Sequence, residues 1–293
     1  MRTPGSVRFL AVTVVLGAVG MSCVGARVAA RATRAPTTSE LVQPAAHRAA
    51  HLPDPVGCPR CWRPAVNTSW QIQFSGTLDT SVDVQMYDID MFNNSKDVVD
   101  GLHAAGRMVV CYMSAGSVEN WRPDAGSFPA SVVGKGLDGW PGERWLDIQK
   151  RRVLRPAMQA RVDLCAQKGF DGIEFDNVDA WSNKTGFPLS RLDQLKYNLM
   201  LANMAHTAGL SVGLKNDLEQ VKDLLPYFDF HIDEECFQWK ECDRLQPFID
   251  AGKPVFEIEY RLDTADFCPQ ANALDFNSLK KKLKLDAWRE PCR

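Results

Sequence analysis

Gly172-Ile-Glu-Phe-Asp-Asn177 is a short β pattern closed by two acids and an amide. Alternation along a strand puts Ile173 and Phe175 on one face and Glu174 and Asp176 on the other. If the apolar pair faces covering helices, both carboxylates turn to the opposite side of the sheet, with Asp176 nearest its carboxyl end. A buried carboxylate has to be paired or else titrate. Lys215, with Asn216 beside it at the end of a later β-like run, supplies a cation for that purpose. Upstream, a helical pattern over 151–168 stops at Gly169, where a left-handed cap residue belongs.

The same order recurs outward in both directions. Strand patterns fall at 70–74, 82–87, 108–113, 144–148, 172–175, 210–214, 228–232 and 254–258, and helical patterns at 95–105, 151–168, 190–208, 217–226, 241–251 and 275–284. Over 190–208, Leu192, Leu195, Leu199, Ala202 and Ala205 share one helical face. Gly106, Gly209 and Gly252 repeat the cap position of Gly169. Eight strands alternating with helices predict an α/β fold, a (β/α)8 TIM-type barrel. It is irregular at its first crossover, because the link 75–81 is too short for a helix. A doubly wound open sheet is the rival, although no G-x-G-x-x-G follows any strand.

The first fifty residues are of another kind. Arg2 and Arg8 precede an uncharged run from Phe9 to Met21, followed by small residues up to Ala26, the order of a secretory signal over 1–26. The run is shorter than the roughly 20 apolar residues of a membrane span. Cleavage before Cys23, giving a lipoprotein, is the alternative, and Gly20 stands where a large aliphatic residue is usual. Residues 27–55 read as a flexible tether and 56–293 as a single domain, expected to be a secreted monomer. Residues 1–50 hold six of the chain's 34 basic residues and one of its 36 acids, which leaves 28 against 35 and a formal charge of −7. An acidic body excludes nucleic acid as a partner and suits a cationic one.

Eight cysteines remain beyond the signal, in keeping with disulfides in an exported chain. Cys58 and Cys61 form a C-x-x-C with a structural role. Cys236 and Cys242 flank a short loop, and Cys268 and Cys292 bracket the C-terminal segment. Cys111 and Cys165 read equally well as buried thiols.

Barrel enzymes carry their chemistry at the carboxyl ends of the strands. Those ends here hold Asp88, Asp90, Tyr112, Ser114, Asp147, Glu174, Asp176, Asn177, Lys215, Asn216, Asp233, Glu234, Glu235, Glu257, Glu259 and Tyr260. So many carboxylates on one rim repel one another unless they serve a purpose. A pair of them is what glycoside hydrolysis requires, roughly 5–5.5 Å apart for retention of configuration and 6.5–9.5 Å for inversion. Asp176 is one member, and Glu234 or Glu235 the other. Taking Phe228, Phe230 and Ile232 as outward-facing turns Glu235 inward by parity, but parity is weak at a strand's last residue and the choice stays open. The five histidines lack metal-ligand spacing, so no metal or cofactor is expected, and no G-x-S-x-G elbow points to a serine hydrolase. Trp121, Trp140, Trp145, Trp181 and Tyr112 lie in or beside the rim loops, where aromatic rings make platforms for sugar faces.

Six blocks in order, C-Y-M-S-A-G-S-V-E-N-W-R-P-D (111–124), G-W-P-G-E-R-W-L-D (139–147), G-F-D-G-I-E-F-D-N-V-D (169–179), G-L-K-N-D (213–217), D-E-E-C-F-Q (233–238) and F-E-I-E-Y (256–260), closely resemble glycoside hydrolase family 114. The resemblance covers about residues 65–262. It implies a (β/α)8 barrel, endo-cleavage of an α-1,4-linked galactosamine polymer, Asp176 as nucleophile and Glu234 as acid/base. By position it implies substrate contacts from Asp90, Tyr112, Ser114, Glu119, Asp147, Glu174, Asn177, Lys215, Asn216 and Glu259. Asp233 and Glu235 stand where the family more often has amides, and like-charge repulsion from them would raise the pKa of Glu234. De-N-acetylated galactosamine carries ammonium groups, so a cationic polysaccharide is the expected partner. The competing reading from another class is a non-catalytic glycan-binding or matrix protein on the same barrel, which would have no need of a spaced carboxylate pair.

Overall fold

The computed structural model describes residues 52–293. The export signal over 1–26, Cys23, and the tether as far as residue 51 lie outside the described residues. Just inside them, Tyr227 Oη donates to Pro53 O (2.6 Å) and Asn203 Nδ2 to Asp54 O (3.1 Å), which ties the start of the described chain to the domain.

In chain order the elements are β1 (Trp70–Gln73), β2 (Met86–Asp90), α1 (Lys96–Ala104), β3 (Met108–Ser114), β4 (Ser117–Glu119), β5 (Val133–Leu137), β6 (Trp140–Leu146), α2 (Arg151–Lys168), β7 (Gly172–Asp176), α3 (Arg191–Thr207), β8 (Ser211–Lys215), α4 (Val221–Leu224), β9 (Phe230–Glu234), α5 (Cys236–Trp239), α6 (Gln246–Asp250), β10 (Val255–Glu259), α7 (Thr264–Ala273), β11 (Asn277–Lys280) and β12 (Glu290–Pro291). Eight strands pair in parallel in the order β1-β2-β3-β7-β8-β9-β10-β11, with β12 antiparallel on β11. The sheet curls so that its first and last parallel strands, which share no ladder, are linked through side chains. At that seam Trp70 Nε1 donates to Asn277 O (2.8 Å) and Lys281 Nζ to Gln71 Oε1 (3.2 Å). The fold is therefore an α/β barrel of TIM type. Its first crossover, between β1 and β2, contains no helix.

Trp70, Ile72, Met86, Val110, Phe230, Ile232, Phe256, Ile258 and Leu279 form one buried cluster, joined by Leu285. They come from strands on opposite sides of the curl, so they fill the barrel's interior. Each such side chain contributes about 1.5–3 kcal/mol on leaving water. The lumen tapers by residue size: a Cβ at Gly213 would lie 2.3 Å from the Phe230 ring, so the glycine on β8 makes room for the phenyl on β9.

Three expectations are corrected. First, 144–148 is no barrel strand. Leu137 pairs with Trp140 across Asp138-Gly139, a two-residue hairpin turn, and β6 joins β4 and β5 in a three-stranded antiparallel sheet. Second, the eighth parallel strand comes instead from 275–284, read above as helix. There Phe276 and Leu279 are buried and β11 pairs with β10, so tertiary context overrides a weak local preference. Third, Phe230 and Ile232 face into the barrel, not outward, because the space beside Gly213 admits them.

The other elements read from periodicity overlap the observed ones, although β2 begins four residues later than read and α7 occupies a stretch where no element was read, and α3 opens with a capping box between Ser190 and Asp193. Disulfides join Cys58–Cys61, Cys236–Cys242 and Cys268–Cys292, and Cys111 on β3 is joined to Cys165 on α2. Among the described residues no helix is long and apolar enough to cross a membrane.

Candidate active site

Alternation carries every second residue of β3, β7, β8 and β9 into the lumen, and the last such residue on each strand reaches the barrel's mouth. These are Ser114, Asp176, Lys215 and Glu234. Lys215, 2% exposed, sits among three carboxylates. Its ammonium lies 3.0 Å from Glu174 Oε1, 3.0 Å from Asp176 Oδ1 and 3.4 Å from Glu234 Oε2. The Asp176 and Glu234 oxygens thus share one nitrogen, and they can be no further apart than the two distances laid end to end, about 6.4 Å.

Each acid has further partners. Asp176 Oδ2 accepts from Tyr112 Oη (2.9 Å) and from Asn177 Nδ2 (3.4 Å). Glu234 Oε1 accepts a short hydrogen bond from Tyr260 Oη, and the Glu234 N–H donates to Asn216 Oδ1 (3.1 Å). Burial works against charge on Asp176, but Lys215 outweighs it and holds the carboxyl down at about 2. Glu234 shows the same contest: burial raises it, Lys215 and the Tyr260 hydroxyl lower it, and the net shift is downward. The upward shift anticipated from Asp233 and Glu235 does not occur. Those two occupy the other face of β9, where Asp233 is in register with Glu257 and Glu235 Oε1 lies 3.4 Å from Arg261 Nε.

Deeper in the lumen Asp88 adjoins Glu174. Burial, and then the neighbouring Glu174, push Asp88 well above its ordinary carboxylate value. Lys215 itself is driven upward by its three acids against the pull of burial, and keeps its charge.

The backbone bends sharply where these strands end. Asn177, Asn216 and Glu235, each immediately after a mouth residue, have φ of 61°, 48° and 64°. Left-handed backbone away from glycine is uncommon and gathers at functional sites. Gly116 accommodates the first of these bends, since a Cβ there would lie 1.7 Å from Asn177 O.

Asp90, Tyr112, Glu119, Asp176, Asn177, Lys215 and Glu234 line a single cleft at the mouth. The remaining residues singled out from sequence do not. Glu174 lies beneath Lys215, and Ser114 bonds Ser117 Oγ (2.6 Å) and Asn177. Asn216 orients β9 from behind. Glu259 points outward and accepts from the N–H groups of Phe237 (2.8 Å) and Gln238 (3.1 Å), satisfying the start of α5. Asp147, buried, turns back to accept from its own Gln149 N–H (3.1 Å), because β6 belongs to the antiparallel sheet and not to the barrel.

Of the aromatic candidates, Trp121, Trp140 and Tyr112 reach the cleft. Trp145 is buried, and Trp181 donates to Asp217. Sequence reasoning missed Arg122, Glu143 and Phe74 on the cleft wall, and gave Tyr260 no role. Arg122 and Glu143 ride on the excursion between β3 and α2, where barrel periodicity carries no information.

The chain belongs to glycoside-hydrolase family GH114, whose family model matches residues 54–293. Glycoside hydrolase is accordingly the class that the fold and the paired carboxylates define. Among solved structures it is similar to Aspergillus fumigatus Ega3, crystallised in complex with galactosamine. The identity is 39%, over 82% of this chain and all of that one, with a TM-score of 0.78. The glycoside hydrolase domain of PelA from Pseudomonas aeruginosa shares the fold at 12% identity, over 76% of this chain and 97% of that one, with a TM-score of 0.61. An uncharacterized protein of Deinococcus radiodurans is 27% identical over 54% of this chain, which spans only 57% of that relative's length.

Proposed function

We propose that the protein is an exported endo-acting hydrolase of α-1,4-linked galactosamine polymers, working with retention of configuration through Asp176 and Glu234. The observation that carries this reading is the sharing of one buried ammonium by both carboxylates, which keeps Asp176 Oδ1 and Glu234 Oε2 within about 6.4 Å of each other. A separation within that bound accommodates the roughly 5–5.5 Å between the carboxyl groups of retaining enzymes.

In the first step Glu234 gives its proton to the glycosidic oxygen while Asp176 attacks the anomeric carbon. The bond to the leaving sugar breaks and an ester to Asp176 forms. Glu234, now a carboxylate, then takes a proton from water, whose oxygen displaces Asp176 and restores both groups. Lys215 and Tyr112 keep Asp176 ionised, as a nucleophile must be. Sugar entering the cleft displaces water and strips solvation from the charged form of Glu234, which raises its pKa and loads its proton. The galactosamine bound to Ega3, a protein 39% identical, supports the choice of sugar. Four disulfides among the described residues support an oxidising, extracellular destination.

The test is release of oligosaccharides from partly de-N-acetylated galactosaminogalactan, with NMR of the first-formed reducing end. Wild type should release α-anomer first, and Asp176→Asn should fall by at least about 10³-fold in kcat, on the scale of losing a nucleophile. Binding of the polymer by both proteins without release by either is the behaviour of a glycan-binding protein, and would end the hydrolase reading. Release of β-anomer would end retention.

A further inference from the structure

Five carboxylates line the cleft: Asp90, Glu119, Glu143, Asp176 and Glu234. Four are compensated by two cations. Arg122 lies 2.5 Å from Asp90 and 2.8 Å from Glu119, and Lys215 serves Asp176 and Glu234. Lys284, also on the wall, is engaged by Asp286 at 2.7 Å. Among the described residues Glu143 has a hydroxyl, Ser117 Oγ, at 3.1 Å and no ion-pair partner, although it is 7% exposed.

Its position makes the missing cation conspicuous. Glu143 on β6 stands directly opposite Glu119 on β4 in the antiparallel pair, and like charges so placed destabilise a sheet. The groups facing it are Ser117 and Glu119 from β4 and Asp176 from β7, while Arg122 on the same wall pairs with Asp90 and Glu119. Arg144, its neighbour on β6, turns away to Gly134 O. Burial, then Asp176 and Glu119, raise Glu143 to about 7. An acid so placed is poorly satisfied by the protein alone.

We propose that Glu143 binds the ammonium group of a de-N-acetylated amino sugar in the cleft and so sets the preference for unacetylated units. The inference rests on the hydrolase reading above and names the residue through which that cleft would recognise its substrate. A sugar ammonium supplies the counter-charge that Glu143 has from none of the described residues, and a charge-assisted hydrogen bond in a buried site is strong. A platform lies alongside. Trp121, 53% exposed, packs on Gly142, where a Cβ would come within 2.8 Å of its ring. A sugar resting its C–H face on that indole presents its substituents to the adjoining Glu143.

The experiment compares kcat/KM on fully de-N-acetylated and fully N-acetylated α-1,4-galactosamine oligomers, and reads their ratio. Glu143→Gln should lower the ratio by about 10- to 100-fold, mainly through KM on the amine substrate, the scale of a hydrogen bond between charged groups. In wild type the ratio should rise between pH 5 and 7 as Glu143 ionises; in the variant it should stay flat. The wild-type profile carries the test alone should the variant fail to fold. An unchanged ratio in Glu143→Gln, or a wild-type ratio that falls over that range as a protonated acid binding an acetyl carbonyl would make it, overturns the assignment. Release from neither oligomer by wild type removes the hydrolase reading and this inference with it; release with an unchanged ratio removes this inference only.

Discussion

Replacing Lys215 with Met removes one buried ammonium and leaves Glu174, Asp176 and Glu234 facing each other across the lumen. The methionine fills much of the same volume, so the effect reports charge more than packing. Breaking a buried ion pair from one side costs about 3–5 kcal/mol. Part of that can be assigned. Holding Asp176 at about 2, against 3.8 unperturbed, favours its ionised form by roughly 2–3 kcal/mol. A depressed carboxylate contributes stability that is complete above its unfolded pKa and lost as pH falls through its folded value, so this share is present at pH 7 and roughly halved at pH 3. Glu234, also lowered, acts in the same direction. Lys215, raised, contributes stability that fades only above its unfolded pKa of roughly 10.4, outside this window. Thermal melting should therefore show Lys215→Met roughly 6–20 °C below wild type at pH 7, at about 2–4 °C per kcal/mol for a domain of this size. The gap should narrow visibly at pH 3. Equal melting temperatures at pH 7, or the same gap at both pH values, would show that Lys215 is not the counter-charge of these acids.

Tyr260→Phe deletes a hydroxyl whose hydrogen bond lowers Glu234; the pKa of Glu234 should rise, and the alkaline limb of the kcat/KM profile should move to higher pH by up to about one unit. A limb that stays put or moves down would show that Glu234 is not the group titrating there. Gly116→Ala drives a methyl against Asn177 O, the residue after Asp176. It should cost about 1–3 kcal/mol in urea unfolding and lower kcat by at least about tenfold, because the bend that aims Asp176 must shift; wild-type kcat in a folded variant would show that this bend is not needed.

What the sequence made legible was whatever obeyed a period. Ile173 and Phe175 against Glu174 and Asp176 follow from alternation alone, and the cap glycines mark where helices stop. The parity of β9 was misread because the size match between Gly213 and Phe230 is a contact between strands that no single strand displays. Once Phe230 and Ile232 point inward, the same alternation selects Glu234 over Glu235 without any resemblance to a family. The eighth strand was hidden for a related reason. Asn277–Lys280 is polar at three of four positions and reads as strand only where β10 waits to pair with it. Arg122 and Glu143 were beyond reach, since their place on the wall is set by the β4–β5–β6 sheet folding back over the barrel's mouth. The Asp138-Gly139 turn was the available signal for that sheet, and it passed unused.

The crowding of acids on the rim looked from sequence like one large negative field. The folded molecule divides it. Asp88 and Glu174 sit together deep in the lumen, where burial raises both. Asp176 and Glu234 lean on Lys215, and Asp90 and Glu119 on Arg122. Glu257, raised by burial, lies with Asp233 and Glu259 on the outer faces of their strands. Counting carboxylates therefore overstates the charge a ligand meets, and long-range attraction for a cationic polymer, which salt screens over about 8–10 Å, comes mainly from the net charge of the whole body. Discrimination between an ammonium and an acetamide has to be made at contact distance. On that wall the place for it is a carboxylate with no ion-pair partner among the described residues, and Glu143 is the member of the cleft that fits.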